Sequence, residues 1–276
     1  MDAAQLLTAA ASGFGVGALA GLFGVGGGFV LVPLLTAVLH LPTAVAVGST
    51  ACSVLGPATT ALLARGSRRA DWRLPTILFG GLFVGVLVGA GLLARIEARS
   101  PELVERVVLS VYAVLLVSLA GLSLTDAWRS RRGRPLPTGW LRGVGPRPKT
   151  EMPSGPPVSV PTACVAATGV GVLCGLLGIS GGLVTEPLFV YGFGMGTRAA
   201  VRASLVTVWL VSAQSTVAHA ILGNVRLPLV VALLAGSTIG AQLATGWAKR
   251  WSAAGLKRRF GWLLAAVAAF VIWRLL

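Results

Sequence analysis

The chain has 276 residues, of which 55% are hydrophobic and only 11% charged, with a mean hydropathy of +0.84. A soluble domain of this length needs far more polar surface, so composition places the protein in a membrane. The net charge of +15 would suggest a nucleic-acid partner on a soluble protein, but the arginines lie between apolar runs, as in cytoplasmic loops, so nucleic acid is set aside.

In chain order, eight windows meet or approach the ~20 apolar residues of a transmembrane helix. They are roughly 3–23, 43–64, 74–94, 104–124, 158–178, 203–222, 227–247 and 258–275. Two shorter apolar pieces, about 29–40 and 183–194, come after glycine-rich breaks. The start, Met1-Asp2-Ala3-Ala4-Gln5, has no basic n-region and reads as the approach to a first span. Cys52, Cys164 and Cys174 lie inside apolar windows without a CxxC pair, which argues against a disulfide framework or a metal site. No cofactor motif is present. Gly24-Val25-Gly26 lacks the third glycine and the downstream acid of a dinucleotide fingerprint, and no P-loop supplies ATP drive.

The strongest internal signal is a repeat. Gly21-Leu22-Phe23-Gly24-Val25-Gly26-Gly27-Gly28, with Pro33 beyond it, recurs 154 residues later as Gly175-Leu176-Leu177-Gly178-Ile179-Ser180-Gly181-Gly182, with Pro187 beyond it. Thr43, Ala46, Val47 and Thr50 meet Thr197, Ala200, Val201 and Ser204 in the same register, and Arg73-Leu74-Pro75 meets Arg226-Leu227-Pro228 after a one-residue slip. The chain therefore divides into a first membrane half (1–125), a basic linker (126–157) rich in Arg, Pro and Gly that reads as exposed and flexible, and a second membrane half (158–276).

Charge sets the topology. Loop 65–73 has net charge +3, the linker through Glu151 +5 and loop 249–259 +5, whereas loop 95–106 is neutral and loop 223–226 holds only Arg226. If each short post-glycine piece crosses the membrane, all the basic loops, with Arg198 and Arg202, fall on the cytoplasmic side, and both termini lie outside. The expected fold is an all-α integral membrane protein of two inverted-topology repeats, about eight full spans plus two short broken or re-entrant segments.

A broken helix at membrane depth must face protein or water, and matched breaks in two halves point to a binding site. A helix beginning at Gly28 or Gly182 directs N–H groups and a positive dipole end at its start, and glycine lets an oxyanion approach that backbone. The expected ligand is a small anion, held by the backbone of Gly26, Gly27, Gly28, Ser180, Gly181 and Gly182. The competing reading is that these glycines serve close helix packing. Thr50 and Ser204 are candidate hydroxyl donors, with Ser49 beside them, although such hydroxyls also bond back to helix carbonyls. Arg202, whose repeat mate is Gly48, is either a counter-charge or an interfacial residue. Glu186, the one acid inside an apolar stretch, is a candidate proton coupler or a brace for the break. Gln214, His219 and Gln242 read as glue between helices, and Trp72, Trp128, Trp247, Trp251 and Trp273 as an aromatic belt.

The paired GlxGxGGGxxxxP pattern, the apolar composition and the basic central linker together resemble the sulfite exporter TauE/SafE family across nearly the whole chain. The first motif, Gly21 to Pro33, is a close match. The second departs in Ser180, which replaces a glycine, and in Glu186 before Pro187. The resemblance implies a permease of the cytoplasmic membrane that exports sulfite, sulfoacetate or another organosulfonate. Rocking of the two halves about a central site gives alternating access, Glu186 makes a proton an optional coupling partner, and a homo-oligomer is left open. Two other readings stay open: a passive anion channel of the same fold, and an intramembrane serine protease using Ser180 in Gly178-Ile179-Ser180-Gly181 with His219 as base.

Overall fold

The structure is a computed structural model of the whole chain. It describes all residues except Met1, 24–25, 66–71, 134–135, 142–143, 153–154 and 249–252. The first half comprises α1 (Ala3–Phe23), α2 (Gly28–Val38), α3 (Thr43–Ser53), α4 (Leu55–Arg65), α5 (Arg73–Glu97) and α6 (Pro101–Arg131). The second comprises α7 (Val160–Leu177), α8 (Gly182–Pro187) continuing as a π-helical turn (Leu188–Gly192), α9 (Thr197–Ile221), α10 (Leu227–Ala248) and α11 (Ala253–Leu275). A small hairpin, β1 (Lys149–Met152) with β2 (Gly155–Ser159), lies between them. Seven described spans are long and apolar enough to cross a bilayer, with α3 and α4 together forming one of them. α11 carries Lys257, Arg258 and Arg259 near its start. The protein is an all-α, multi-pass membrane protein.

The helices pair across the halves, and the repeat explains how. α1 packs along α10, and α5 along α7. Since α1 corresponds to α7 and α5 to α10, these are one interface used twice. Glycine makes both seams. A Cβ on Gly13, Gly17 or Gly21 would strike the backbone of Leu233, Ser237 or Ala241, and one on Gly81, Gly85 or Gly89 that of Cys164, Thr168 or Val172. Such four-residue spacing of small residues lets helix backbones touch, which drives association where lipid removes the hydrophobic term. The matched residues ascend together, so each pair runs parallel. α6 and α11 run antiparallel: Lys257 meets Asp126 at 3.0 Å, and Arg274 meets Glu105 at 2.7 Å.

These directions place the ends of the helices. Thr36, at the end of α2, accepts from Arg274 Nη1 at 2.8 Å, on the same face as the start of α6 and the end of α11. α1 starts on that face too, because it runs parallel to α10, whose start comes just after the Asn224 turn against Gly48 of α3. Gly27 lies against Val16 and Ala20 of α1, so the chain turns back after the break. The second half mirrors this on the basic face, where the π-helical turn ends against the linker. The two short broken or re-entrant segments expected from the sequence are α2 and α8 with its π-helical turn. Eleven residues of α2 rise about 16 Å, roughly half of a ~30 Å hydrocarbon core. In each half the short piece after the break, α2 or α8 with its π-helical turn, runs back toward the face from which α1 or α7 sets out.

The linker differs from the flexible segment expected. α6 continues through its first residues to Arg131, and the backbone N–H groups of Gly139 and Leu141 donate to the carbonyls of Tyr191 (2.6 Å) and Gly192 (3.0 Å). Those carbonyls end the π-helical turn and need donors, which the linker supplies.

Candidate functional site

The two breaks meet. Gly26 and Gly27 take left-handed φ values of 82° and 66°, and in the other half Gly178 and Gly181 take 66° and 79°. This conformation, costly for any residue with a Cβ, ends one helix and redirects the chain into the next. A Cβ on Gly26 would stand 2.6 Å from Ser180 Oγ, with Val54 and Val208 next at 3.6 and 3.5 Å. Gly26 and Ser180 are repeat mates, and so are Val54 and Val208. These four residues therefore mark the pseudo-twofold axis of the molecule, at the middle of the long helices α3–α4 and α9.

Around that axis lie most of the residues the sequence singled out. Gly28 starts α2 beside Thr50, whose methyl would be 3.5 Å from a Cβ there, and beside the Gly178 carbonyl. Gly182 starts α8 after Gly181. Neither N-cap glycine has a side chain to cover the first-turn N–H groups, although the Gly28 N–H is itself taken by the Gly26 carbonyl at 2.8 Å. Thr50 is fully buried, and its Oγ1 has no partner among the described residues. Its mate Ser204 is equally buried but bonds Thr185 Oγ1 at 2.9 Å. Thr185 is the residue that sequence reasoning missed. Its mate is Leu31, so a hydroxyl two positions before Pro187 was the available signal. The frame helices hold both breaks: Tyr112 Oη of α6 donates to the Leu177 carbonyl at 2.7 Å, and Phe260 of α11 packs on Phe23 and Phe29, centroids 5.0 and 6.1 Å apart.

Other candidates fall away from the axis. Arg202 is half-buried in the second turn of α9, and no described hydrogen bond joins it to the breaks. Glu186 is half-buried on α8 and lies within electrostatic reach of Tyr191. Ser49 Oγ accepts from the Arg226 N–H at 3.3 Å, tying α3 to α10. Gln214 Nε2 donates to the Phe83 carbonyl at 2.7 Å, as expected of glue between helices, while Gln242 is exposed. His219 Nε2 stands 3.0 Å from the Gly175 carbonyl, whereas Ser180 faces Gly26. That arrangement does not set up a serine–histidine pair. Trp72, Trp128 and Trp273 are exposed as a lipid belt requires; the side chains of Trp247 and Trp251 lie outside the described residues. No cluster of metal-ligating side chains occurs among the described residues.

A narrow, mainly apolar crevice leads from Gly26 toward the basic face, lined by Ala20, Gly21, Pro57, Ala58, Thr60 and Ala61 among others. Pro57 explains its place. With Gly56 before it, it breaks the hydrogen-bond ladder between α3 and α4, whereas α9 runs unbroken through its mate Val211.

Two interlocked halves, broken at matching points that meet at a common axis, define a membrane transporter. The chain belongs to the sulfite exporter TauE/SafE family, whose model matches residues 9–271. It is 27% identical to a protein of Xylella fastidiosa (strain 9a5c) named "Probable membrane transporter protein", over 99% of this chain and 97% of that one. It is also 27% identical to the "Probable membrane transporter protein YunE" of Bacillus subtilis (strain 168), over 82% of each. No solved structure matches.

Proposed function

We propose that this chain is a secondary exporter, in the cytoplasmic membrane, of a small sulfur-containing anion such as sulfite, sulfoacetate or another organosulfonate. The observation that carries this reading is the meeting of the two breaks at Gly26 and Ser180, with Thr50, whose Oγ1 has no partner among the described residues, next to the start of α2. Helix starts and hydroxyl donors suit an oxyanion, and family membership narrows the anion to the sulfur class. The backbone around Gly26, Gly27, Gly28, Ser180, Gly181 and Gly182 and the hydroxyls of Thr50 and Ser204 form the site, and Arg202 attracts the anion from the basic face. The halves rock about the axis so that the site faces each side in turn. Glu186, at the second break, takes up and releases a proton during the cycle.

The test is counterflow of labelled sulfite in proteoliposomes preloaded with unlabelled sulfite, sulfoacetate, thiosulfate or chloride. Exchange driven by a sulfur anion is the expected result. Conductive flux without saturable exchange would make the protein a channel instead. Glu186→Gln is expected to abolish pH-driven transport while leaving substrate binding intact; an unchanged pH dependence would remove Glu186 from the cycle.

A further inference from the structure

The crevice near Gly26 has a counterpart written into the second half. Adding the repeat offset to Ala20, Gly21, Pro57, Ala58, Thr60 and Ala61 gives Cys174, Gly175, Val211, Ser212, Gln214 and Ser215. None of these residues lines a described crevice. Cys174 and Ser212 are fully buried, Ser215 is 1% exposed and Gln214 9%. Yet Ser212 Oγ, Ser215 Oγ and Gln214 Oε1 have no hydrogen-bond partner among the described residues, and neither does His219 Nδ1 one turn further along α9. Ser204, Val208, Ser212, Ser215 and His219 succeed one another at spacings of three or four, so they form a single stripe on α9. The stripe runs from the Thr185 hydroxyl, past the axis, to the Gly175 carbonyl near the outer end of α9.

An unpartnered buried polar atom destabilises the state that holds it. At the matching positions of the first half, the residues are mostly small and apolar and line the narrow crevice, with Ala58 itself 2% exposed. Polar side chains left unpaired in the closed copy make sense if another conformation wets them. We propose that Cys174, Ser212, Gln214 and Ser215 line a second crevice, closed in this structure, that opens to the face opposite the basic loops and forms the outer leg of the path for a hydrated small anion. It rests on the carrier reading: when the halves rock, the first crevice closes and this one opens. Its hydroxyls and carboxamide can exchange water for anion contacts, and among its described lining residues none carries a charge that would trap the anion.

Accessibility decides the matter. Replacing Cys52 and Cys164 with alanine leaves Cys174 as the sole thiol. In right-side-out vesicles, an impermeant anionic methanethiosulfonate should modify it from outside, and sulfite should alter the rate. A second set, in a cysteine-free background, compares Ser212→Cys with its mate Ala58→Cys. Ala58→Cys should react from the inner face, in inverted vesicles. Ser212→Cys should react from the outer face, about ten- to a thousand-fold more slowly, because the outward state is the minor one. If Cys174 and Ser212→Cys stay inert from outside while Ala58→Cys reacts from inside, there is no outer crevice. Counterflow on the same proteins separates the two failures: retained exchange with an inert outer set overturns this inference alone, and absent exchange in the native chain overturns the carrier reading.

Discussion

The two breaks share one glycine grammar but differ in the helix that each one launches. After Gly27, α2 continues as a regular helix through Pro33 to Val38. After Gly181, α8 gives way at Pro187 to a π-helical turn. Beside the first break lie a narrow crevice and Thr50, whose Oγ1 has no partner among the described residues; beside the second lies the bonded Ser204–Thr185 pair. The left-handed glycine N-cap, Gly27 in one half and Gly181 in the other, is thus the shared part of the duplicated device, and the helix it launches and the side chains around it are the diverged part. A duplicated fold keeps what its packing demands and changes what its two faces must do differently.

The largest effects should fall where the halves are the same. Gly17→Val and Gly85→Val each put side-chain atoms into a facing backbone that cannot move aside, and overpacking of this kind reaches the upper end of about 1–3 kcal/mol or beyond. Both variants should lose most of their monodisperse folded protein in detergent. Gly91→Val, with nothing within 4 Å of its Cβ, should behave as the parent. Equal damage in all three would mean the seams do not hold the halves together.

The breaks themselves should separate next. Gly27→Ala and Gly181→Ala share the cost of a side chain at positive φ, about 1–2 kcal/mol. Gly27→Ala also crowds Val16 and Ala20 at 3.0–3.1 Å, whereas Gly181→Ala meets only Cys174 Sγ at 3.3 Å and the Thr185 methyl at 3.9 Å. The first should therefore melt lower than the second. The reverse order would place the tighter turn in the wrong half.

This division also marks how far the sequence could be read. The 154-residue offset, the glycines and the arginine-rich loops carry the fold, because lipid leaves few ways to pack an apolar helix and position-specific glycine is one of them. They carry the meeting of the two breaks too: Gly26 and Ser180 are mates in the sequence and neighbours in space. Depth was not legible, since an apolar 11-residue piece looks the same whether it crosses or turns back. Nor was the linker's attachment to Tyr191 and Gly192, which uses backbone groups that every sequence has. The Thr185–Ser204 bond depends on two helices meeting at one level, a fact of the tertiary structure alone.

The frame offers a milder contrast between the two faces. Lys257 bonds Asp126, which is 3% exposed, while Arg274 joins Thr36 to a Glu105 side chain that is 42% exposed. Lys257→Met leaves a buried carboxylate without its cation, whereas Arg274→Met frees one that water can reach. The first should lower the melting temperature by the equivalent of about 1–2 kcal/mol and the second by less than about 1 kcal/mol, as read by thermal unfolding in detergent.

The smallest effect on stability belongs to the most telling pair. Ser204→Ala leaves Thr185 Oγ1 without its 2.9 Å partner and should cost about 1 kcal/mol. Thr50→Val keeps the shape and removes a hydroxyl that already has no partner, so it should be neutral or stabilising by up to about 1 kcal/mol. Transport should rank the two the other way. On the proposed reading, the anion passes Thr50 during the cycle and supplies the partner that its buried Oγ1 lacks among the described residues. Thr50→Val should therefore cut sulfite counterflow more than Ser204→Ala does, at full or improved thermal stability. If Thr50→Val instead transports as the parent does, its hydroxyl is not a ligand, and the asymmetry between the breaks is one of packing only.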